Sequence, residues 1–224
     1  MKEDKRLKKE QHIIDHAFKV FEKVGFKNAK MDDIAASAGI TKVTLYSYFQ
    51  SKENLYLAIT FQAMTELNKV YQTSIEKNAN NTGLESTLAL LETFMEFCEQ
   101  NYLYSEVLLE YFAMVRSTSA DKNSDKLTEA AKDSFYFHKL LELHNLPFKW
   151  TVKEIERGKK DGSIKTTLNA MVCTLHGWTM VIGYVKIVAA SGDNATPLFN
   201  VNLKELKNLH LSLARTMFGI GLIS

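Results

Sequence analysis

Apolar residues recur at helical spacing along almost the whole chain. The first set lies three or four positions apart and precedes a glycine: Ile14, Ala17, Phe18, Phe21 and Val24, then Gly25. Such spacing puts the apolar side chains on one face of a helix, and glycine favours a helix end. The pattern therefore predicts an amphipathic first helix that ends at Gly25.

The same reasoning predicts helices through the rest of the chain. They cover residues 31–38, 42–48, 52 to about 76, 84–100, 102–116, 127–143, Pro147 to about 158–162, 169–190 and 203–218. Polar breaks are predicted at 77–83, 117–125 and 191–197. The chain has 2 prolines and 10 glycines in 224 residues, which favours long helices over a β fold with many turns. We predict an all-α protein with about nine helices.

One segment, residues 31–49, has the pattern of a helix-turn-helix. Apolar residues form one face of each of its helices: Ile34, Ala35 and Ala38, then Leu45 and Phe49. Gly39 between them can adopt the left-handed conformation of an abrupt helix end. Thr41 is a suitable N-cap, because its hydroxyl can accept a bond from a free backbone amide. The outer side of the second helix is then available for the major groove of DNA.

Charge is distributed unevenly along the chain. Residues 1–52 contain 11 lysines and arginines against 7 acidic residues, a net +4, whereas the remainder has 17 against 19, a net −2. The positive excess thus coincides with the predicted helix-turn-helix, as contact with DNA phosphates requires.

A set of residues in fixed register resembles the amino-terminal signature of TetR-type bacterial transcriptional regulators. The match covers about residues 10–57 and includes Phe18, Phe21, Gly25, Phe26, Met31, Ile34, Ala35, Ala38, Gly39, Ile40, Thr41, Leu45, Tyr46, Tyr48, Phe49, Lys52, Glu53 and Leu55. Further along, Gly158, Asp161, Gly162 and Ile164 resemble the turn before the penultimate helix of that family.

The resemblance implies a three-helix DNA-binding domain in residues 1–52 and a larger helical domain for ligand binding and dimerisation in residues 53–224. It implies a homodimer in which the last two helices of each subunit form a four-helix bundle. It also implies a repressor that a small, largely apolar molecule releases from a palindromic operator in double-stranded DNA.

The candidate DNA contacts are Lys30, Thr41, Lys42, Thr44, Tyr46, Tyr48 and Lys52. Lys42 and Thr44 are suited to base edges, and Lys42 prefers guanine acceptors. Tyr46, and less directly Tyr48, can donate to phosphate, although tyrosines at such positions also serve as core residues. Lys52 at the start of its helix is expected to act as a phosphate clamp rather than as a solvated lysine.

Two positions depart from the family pattern. Ala29 and Lys30 stand where the family often has Thr or Ser, so a side-chain cap on the second helix is lost, although Lys30 can still reach a phosphate. Val43 stands where Gly, Ala or Pro is common, and it either holds the backbone away from the bases or contacts a thymine methyl. The basic start of the chain is interpreted as a solvated charge run rather than as a minor-groove arm.

The larger domain is rich in aromatic residues, most of which must be core. Some are expected to line an apolar cavity, as the family architecture implies. The candidates for its walls are Phe97, Tyr111, Phe112, His138, His176 and Trp178.

Several other functions are disfavoured. His12 and His16 have metal-ligand spacing but no third ligand, so they are interpreted as surface histidines, and no metal or cofactor is expected. Glycine-loop, HExxH and GxSxG motifs are lacking, which argues against an enzyme. Cys98 and Cys173 are isolated and predict a reduced, cytoplasmic protein without a secretory signal.

Residues 169–190 are long and apolar, but His176, Lys186 and several threonines interrupt them. We therefore expect a helix buried on nearly all sides, partly in its own subunit and partly against a partner, and no membrane association. The alternatives left open are an activator, a regulator without an effector, and a helical protein-interaction module that does not bind DNA.

Overall fold

The computed structural model describes residues 2–119, 132–191 and 200–220. Within these ranges the chain is helical without any strand, which confirms the all-α prediction. The helices are α1 (Lys2–Asn28), α2 (Met31–Ser37), α3 (Lys42–Tyr48), α4 (Lys52–Lys77), α5 (Gly83–Gln100), α6 (Tyr102–Ser119), α7 (Phe135–Leu143), α8 (Leu146–Asp161), α9 (Ala170–Ser191) and α10 (Leu203–Ile220). Residues 127–131 of one predicted helix and the break at 192–197 lie outside the described residues.

Helix α1 begins much earlier than the apolar pattern indicated. It is helical from Lys2, so the basic start of the chain is part of a helix rather than an extended arm. The predicted end at Gly25 is confirmed, because Gly25 has φ 75° and ψ 156° and breaks the helical path there. Few residues other than glycine adopt that backbone conformation without strain.

The chain divides into two compact units. One consists of Met1–Met64 and Leu103–Leu143, and the other of Thr65–Tyr102 and His144–Ser224. Helix α4 therefore contributes residues to both units, and α6 and α7 belong with the amino-terminal helices. The predicted functional boundary between residues 52 and 53 remains a prediction.

The first unit is built around the predicted apolar face of α1 and the inner faces of α2, α3 and α4. Ile34, Leu45 and Leu55 are fully buried there. Helix α7 joins this core through Tyr136, whose hydroxyl donates to the Glu10 carboxylate at 2.6 Å. The same ring stacks on Phe49 at a centroid distance of 6.3 Å, so α7 is tied to α1 and to the end of α3.

The second unit depends on an unusually close approach between the start of α5 and the end of α8. A Cβ atom built on Gly83 would lie 2.0 Å from the backbone nitrogen of Gly158, far inside van der Waals contact. The first free amides of α5 are satisfied by side chains, since Gly83 N donates to Asp161 Oδ2 at 2.7 Å and Leu84 N to Ser163 Oγ at 3.1 Å. Hydrogen bonds from Ser163 and from the Gly83 amide lower the pKa of Asp161.

Candidate nucleic-acid interface and ligand cavity

The turn between α2 and α3 has the geometry that the sequence predicted. Gly39 has φ 62°, the left-handed conformation. The amides of Gly39 and Ile40 donate back to the carbonyls of Ala36 and Ala35, at 3.1 and 3.0 Å, and this closes the turn. With Leu45 buried behind it, α3 is held against α2 and its opposite side faces outward.

Thr41 caps α3 as predicted. Its Oγ1 accepts a hydrogen bond from the amide of Thr44 at 3.1 Å and lies 2.9 Å from the Thr44 hydroxyl. This satisfies one of the free amides at the helix start and fixes the direction of the first turn. These hydrogen bonds orient the side chains of Thr41 and Thr44 in the free protein.

The outward side of α3 carries most of the other candidate DNA contacts. Val43 is 81% exposed, and Tyr46 is 42% exposed, which excludes a core role for either side chain. Tyr48 is half-buried. Lys42 is exposed and lies 2.8 Å from Asp32 in the first turn of α2. Val43 is not among the predicted DNA contacts, although it is the most exposed large apolar residue described.

Lys30 and Lys52 differ from each other in how they are held. Lys30 is exposed at the N-cap position of α2 and makes no capping bond, as the departure from the family pattern predicted. Lys52, expected to be a phosphate clamp, directs its ammonium at three backbone carbonyls: those of Phe26 at 2.8 Å, Ala29 at 3.0 Å and Lys27 at 3.3 Å.

The ammonium of Lys52 also lies 4.6 Å from the centroid of the Phe26 ring. A lysine has three N–H donors, and all three have acceptors here. These contacts join the start of α4 to the end of α1, and the phosphate contact of Lys52 stays a prediction. Sequence spacing did not reveal this, because the acceptors are backbone atoms more than 20 residues away.

His12 and His16 contact the end of α2. His12 Nε2 lies 3.0 Å from the carbonyl of Ala38, and His16 Nδ1 lies 2.8 Å from the hydroxyl of Ser37. Burial and the neighbouring His12 lower the pKa of His16. Groups of three or more potential metal ligands are absent from the described residues, and the two histidines have structural partners.

A narrow cavity lies within the second unit. It is lined by Tyr71, Thr87, Leu91, Phe94, Pro147, Phe148, Thr151, Ile155, Cys173, Thr174, His176, Gly177, Trp178, Met180, Ala214, Met217 and Phe218. The space in it for water-sized molecules is about 40 Å³. Trp178 is its central aromatic residue, with its ring centroid 5.0 Å from that of Phe148 and 6.1 Å from that of Phe94.

The polar groups of this cavity are mostly engaged. The hydroxyls of Thr87, Thr151 and Thr174 each donate to a carbonyl one turn back in their own helix, at 2.8 Å. Burial raises the pKa of Tyr71, so its phenol stays neutral. The lining is therefore apolar and aromatic in character, with hydroxyl oxygens available as acceptors.

The candidate wall residues fall into two groups. His176 and Trp178 line the cavity. Phe97 belongs to the same unit and is buried, but it is not among the lining residues. Tyr111, Phe112 and His138 belong to the first unit, where the two former are buried and His138 is exposed. Sequence spacing gave no means of separating these groups, since all six lie on helices.

Helix α9 is only partly buried within the described part of the chain. It is the one described helix long and apolar enough to cross a membrane by length and composition, and 28% of its apolar window is buried. Met171, Val172 and Ile187 on it are exposed, as are Leu209 and Leu213 on α10. Within the described residues the apolar window of α9 is therefore mostly unburied, and the expected burial partly against a partner stays a prediction.

Residues 13–59 match the family model described as bacterial regulatory proteins, tetR family. The negative regulator IcaR of the biofilm operon icaADBC of Staphylococcus aureus strain Newman is 28% identical over 125 residues, which cover 54% of this chain and 66% of that protein's length. The match thus spans just under two thirds of that relative.

Solved structures resemble the chain over nearly its whole length. PfmR from Thermus thermophilus, a TetR family regulator, superposes with a TM-score of 0.64 at 17% identity, covering 95% of this chain and 99% of that one. FadR from Bacillus subtilis, solved with stearoyl-CoA, gives 0.63 at 16% identity, with 92% and 97% covered. At these identities the likeness describes the fold alone. Residues 13–59 thus match the TetR family of bacterial regulatory proteins, and the fold of the chain is similar to that of a solved TetR family regulator.

Proposed function

We propose that this protein is a homodimeric DNA-binding repressor that a small, largely apolar molecule releases from a palindromic operator. The observation that carries the proposal is the outer side of α3. There Lys42, Val43 and Tyr46 are exposed on a short helix whose inner side is anchored by the fully buried Leu45. A helix anchored in this way can enter the major groove without losing its own support.

The exposed side chains have complementary chemistry for DNA. Lys42 and Thr44 are assigned to base edges, and the uncovered methyl groups of Val43 to a thymine methyl. Thr41, Tyr46, Tyr48 and Lys30 are assigned to phosphate oxygens, which position the helix without reading sequence. Lys52 is assigned to positioning the end of α1, since its ammonium has three carbonyl acceptors.

The proposed homodimer accounts for the apolar residues of α9 and α10 that are exposed in the described part of the chain. Leu209 and Leu213 are 53% and 55% exposed and lie one turn apart on α10, so they form a stripe. A second copy presenting the same stripe would bury both. Two helix-turn-helix units related by a two-fold axis match a palindromic operator. A regulator of this kind acts in the cytoplasm, where the chromosome lies.

The cavity of the second unit supports the proposed effector. Drug-sized ligands need about 300–1,000 Å³, whereas the water-sized space here is about 40 Å³. A ligand must therefore move the helices that line the cavity, and it binds only the widened state. A molecule with such a difference in affinity shifts the population between the two states. FadR of B. subtilis was solved with stearoyl-CoA, and we propose an apolar effector for this chain as well.

DNA binding is tested with the DNA upstream of the gene for this protein. Labelled duplex is titrated and followed by gel shift and fluorescence anisotropy, with unlabelled duplex of the same or scrambled sequence as competitor. We expect a shift that only the cognate sequence competes efficiently. Absence of a shift even at low salt would instead favour the protein-interaction module.

The dimer is tested by sedimentation of Leu213→Glu and Leu7→Glu. Both leucines are more than half exposed, but Leu7 lies on α1 and Leu213 on the uncovered stripe. We expect only Leu213→Glu to sediment as a monomer and to lose operator binding. Equal sedimentation of both variants with the wild type would contradict the proposed interface.

The effector is tested with Trp150→Phe, which leaves Trp178 as the one tryptophan. Its fluorescence reports on the cavity during titration with 1-naphthol, 1-naphthoate and stearoyl-CoA. We expect 1-naphthol to change the emission and to weaken DNA binding at the same concentrations. If DNA affinity is the same with all three compounds, an effector-independent regulator becomes the better account.

A further inference from the structure

We infer that Asp32 sets how strongly the protein discriminates its operator from other DNA, by holding Lys42 until a base edge replaces the carboxylate. The inference rests on the proposed DNA-binding function and adds to it a residue that makes no attractive contact with DNA itself. It starts from one contact: Lys42 Nζ lies 2.8 Å from Asp32 Oδ1.

The pair joins the two helices of the helix-turn-helix. Asp32 lies in the first turn of α2, and Lys42 is the first residue of α3. Their side chains are 63% and 57% exposed, so both are accessible to DNA and free to rearrange. The hydrogen bond and charge of Asp32 raise the pKa of Lys42, so the lysine stays charged while it is paired.

The strength of the pair is suited to a contact that is exchanged. An exposed ion pair changes an equilibrium by about fivefold at most. A good base-edge contact discriminates by roughly ten- to a hundredfold. When the site is matched, the ammonium of Lys42 can therefore leave Asp32 and bind guanine acceptors with a net gain in binding free energy. At a site without these acceptors the same exchange gains less.

The carboxylate also acts on phosphates. At physiological salt the screening length is about 8 Å, so a phosphate that Lys42 reaches lies within the field of Asp32. A lysine paired with a carboxylate contributes little net charge, and fewer counterions are released when it approaches the DNA backbone. Asp32 thus weakens sequence-independent binding as well, but by no more than the strength of the pair, whereas binding to the operator requires the pair to be broken.

Asp33 provides a matched control. It is the next residue of α2, is exposed, carries the same charge and lies in the same first turn. The salt bridge to Lys42 is formed by Asp32 and not by Asp33 in the described structure. Asp33→Asn and Asp32→Asn change the net charge equally, so a difference between them reports on the pair.

The experiment measures binding of four variants to the upstream duplex and to a scrambled duplex of equal length, by anisotropy between 50 and 200 mM KCl. The variants are Asp32→Asn, Asp33→Asn, Lys42→Met and the double variant Asp32→Asn/Lys42→Met. Thermal melting checks that each is folded.

We expect Asp32→Asn to tighten operator binding by about fivefold and scrambled binding by less, and to steepen the salt dependence on the scrambled duplex by about 0.9, the value for one added phosphate contact. The ratio of operator to scrambled affinity should rise. Asp33→Asn should change the affinity for both duplexes by the same, smaller factor. In the Lys42→Met background, Asp32→Asn should behave like Asp33→Asn.

Two results would overturn the inference while leaving DNA binding intact. One is equal behaviour of Asp32→Asn and Asp33→Asn, which would reduce the effect to net charge. The other is a full Asp32→Asn effect in the Lys42→Met background, which would mean that the carboxylate does not act through Lys42. A wild-type protein that binds neither duplex at 50 mM KCl would instead overturn the proposed function, and this inference with it.

Discussion

The helix-turn-helix and the cavity are both built from helices, yet they depend on different ranges of sequence. The turn, the cap on α3 and the buried inner side involve residues 34–49 and contacts between close neighbours in the chain. The cavity is lined by residues from Tyr71 to Phe218, on five helices. The proposed DNA-binding side of α3 is therefore encoded locally, whereas the cavity exists only once distant helices pack.

The two regions should also differ in how well they tolerate substitutions. Side chains on the outer side of α3 are exposed and can be replaced without disturbing a core. In the second unit, α5 and α8 meet through Gly83 and Gly158 with no room for one additional carbon. Substitutions on the outer side of α3 should therefore change DNA binding, and substitutions at the contact of α5 with α8 should change the free energy of unfolding.

The largest effect is expected for Gly83→Ala. The added methyl group meets the backbone of α8 at 2.0 Å, so the helices must separate and the caps from Asp161 and Ser163 are lost. Overpacking of this kind costs about 3 kcal/mol or more in free energy of unfolding. Urea unfolding measures it, with Gly219→Ala as control because that site has open space. Equal stability of the two variants would contradict the close approach.

Lys52→Met should have the next largest effect. It keeps an apolar stem on Phe26 but removes the donors to three carbonyls, and bonds from a charged group are worth about 1.5–3 kcal/mol. We expect the unfolding free energy to fall by about 2 kcal/mol, with little change in the salt dependence of DNA binding.

Lys30→Met serves as the control, since that exposed lysine makes no capping bond. A salt slope that falls by about 0.9 in Lys52→Met, with unchanged stability, would restore the phosphate clamp that the sequence predicted.

Thr41→Ala should have a smaller effect on stability and a visible effect on binding. Loss of the cap costs about 1 kcal/mol and frees the start of α3, including the Thr44 side chain. Unfolding and anisotropy titrations measure the two effects. Thr41→Ser keeps the hydroxyl and should retain both the wild-type stability and the wild-type DNA affinity. If its stability is as low as that of Thr41→Ala, the methyl group and not the cap is the source of the stabilisation.

The smallest effect concerns the exposed pair of Arg215 and Glu85 in the second unit, at 2.7 Å. The hydrogen bond with Arg215 lowers the pKa of Glu85. A carboxyl group with a lowered pKa stabilises the fold above its unfolded value of about 4.3, and this contribution disappears as the pH falls through the folded value.

Both side chains are largely exposed, so Arg215→Gln should cost only a few tenths of a kcal/mol at pH 7. Unfolding between pH 7 and pH 3 should show that the difference from wild type vanishes at the acid end. A difference that grows with acid would exclude the pair as its source.

The interpretation of the sequence was most accurate where signals are local. Helix α3 spans the predicted residues 42–48, and the turn at Gly39 and the cap at Thr41 are as expected. The start of α1 was missed, because residues 2–12 lack the apolar periodicity on which the prediction relied. That segment is helical although few of its side chains are buried.

The carbonyl contacts of Lys52 could not be predicted from spacing. Its three acceptors are carbonyls of Phe26, Lys27 and Ala29, and backbone acceptors leave no mark in the sequence. The same holds for the wall of the cavity. Phe97, Tyr111 and Trp178 are all aromatic residues on helices. Of these three, only Trp178 lines the cavity, and this depends on how the helices pack.

The helical class, the helix-turn-helix and the chemistry of its outer side follow from the amino-acid sequence, because periodicity, caps and turns act over a few residues. Only packing shows which side chains meet across the chain: Lys52 with the end of α1, Lys42 with Asp32, and Trp178 with Phe148. Such contacts depend on the directions in which packed helices project their side chains, and no local pattern records those directions.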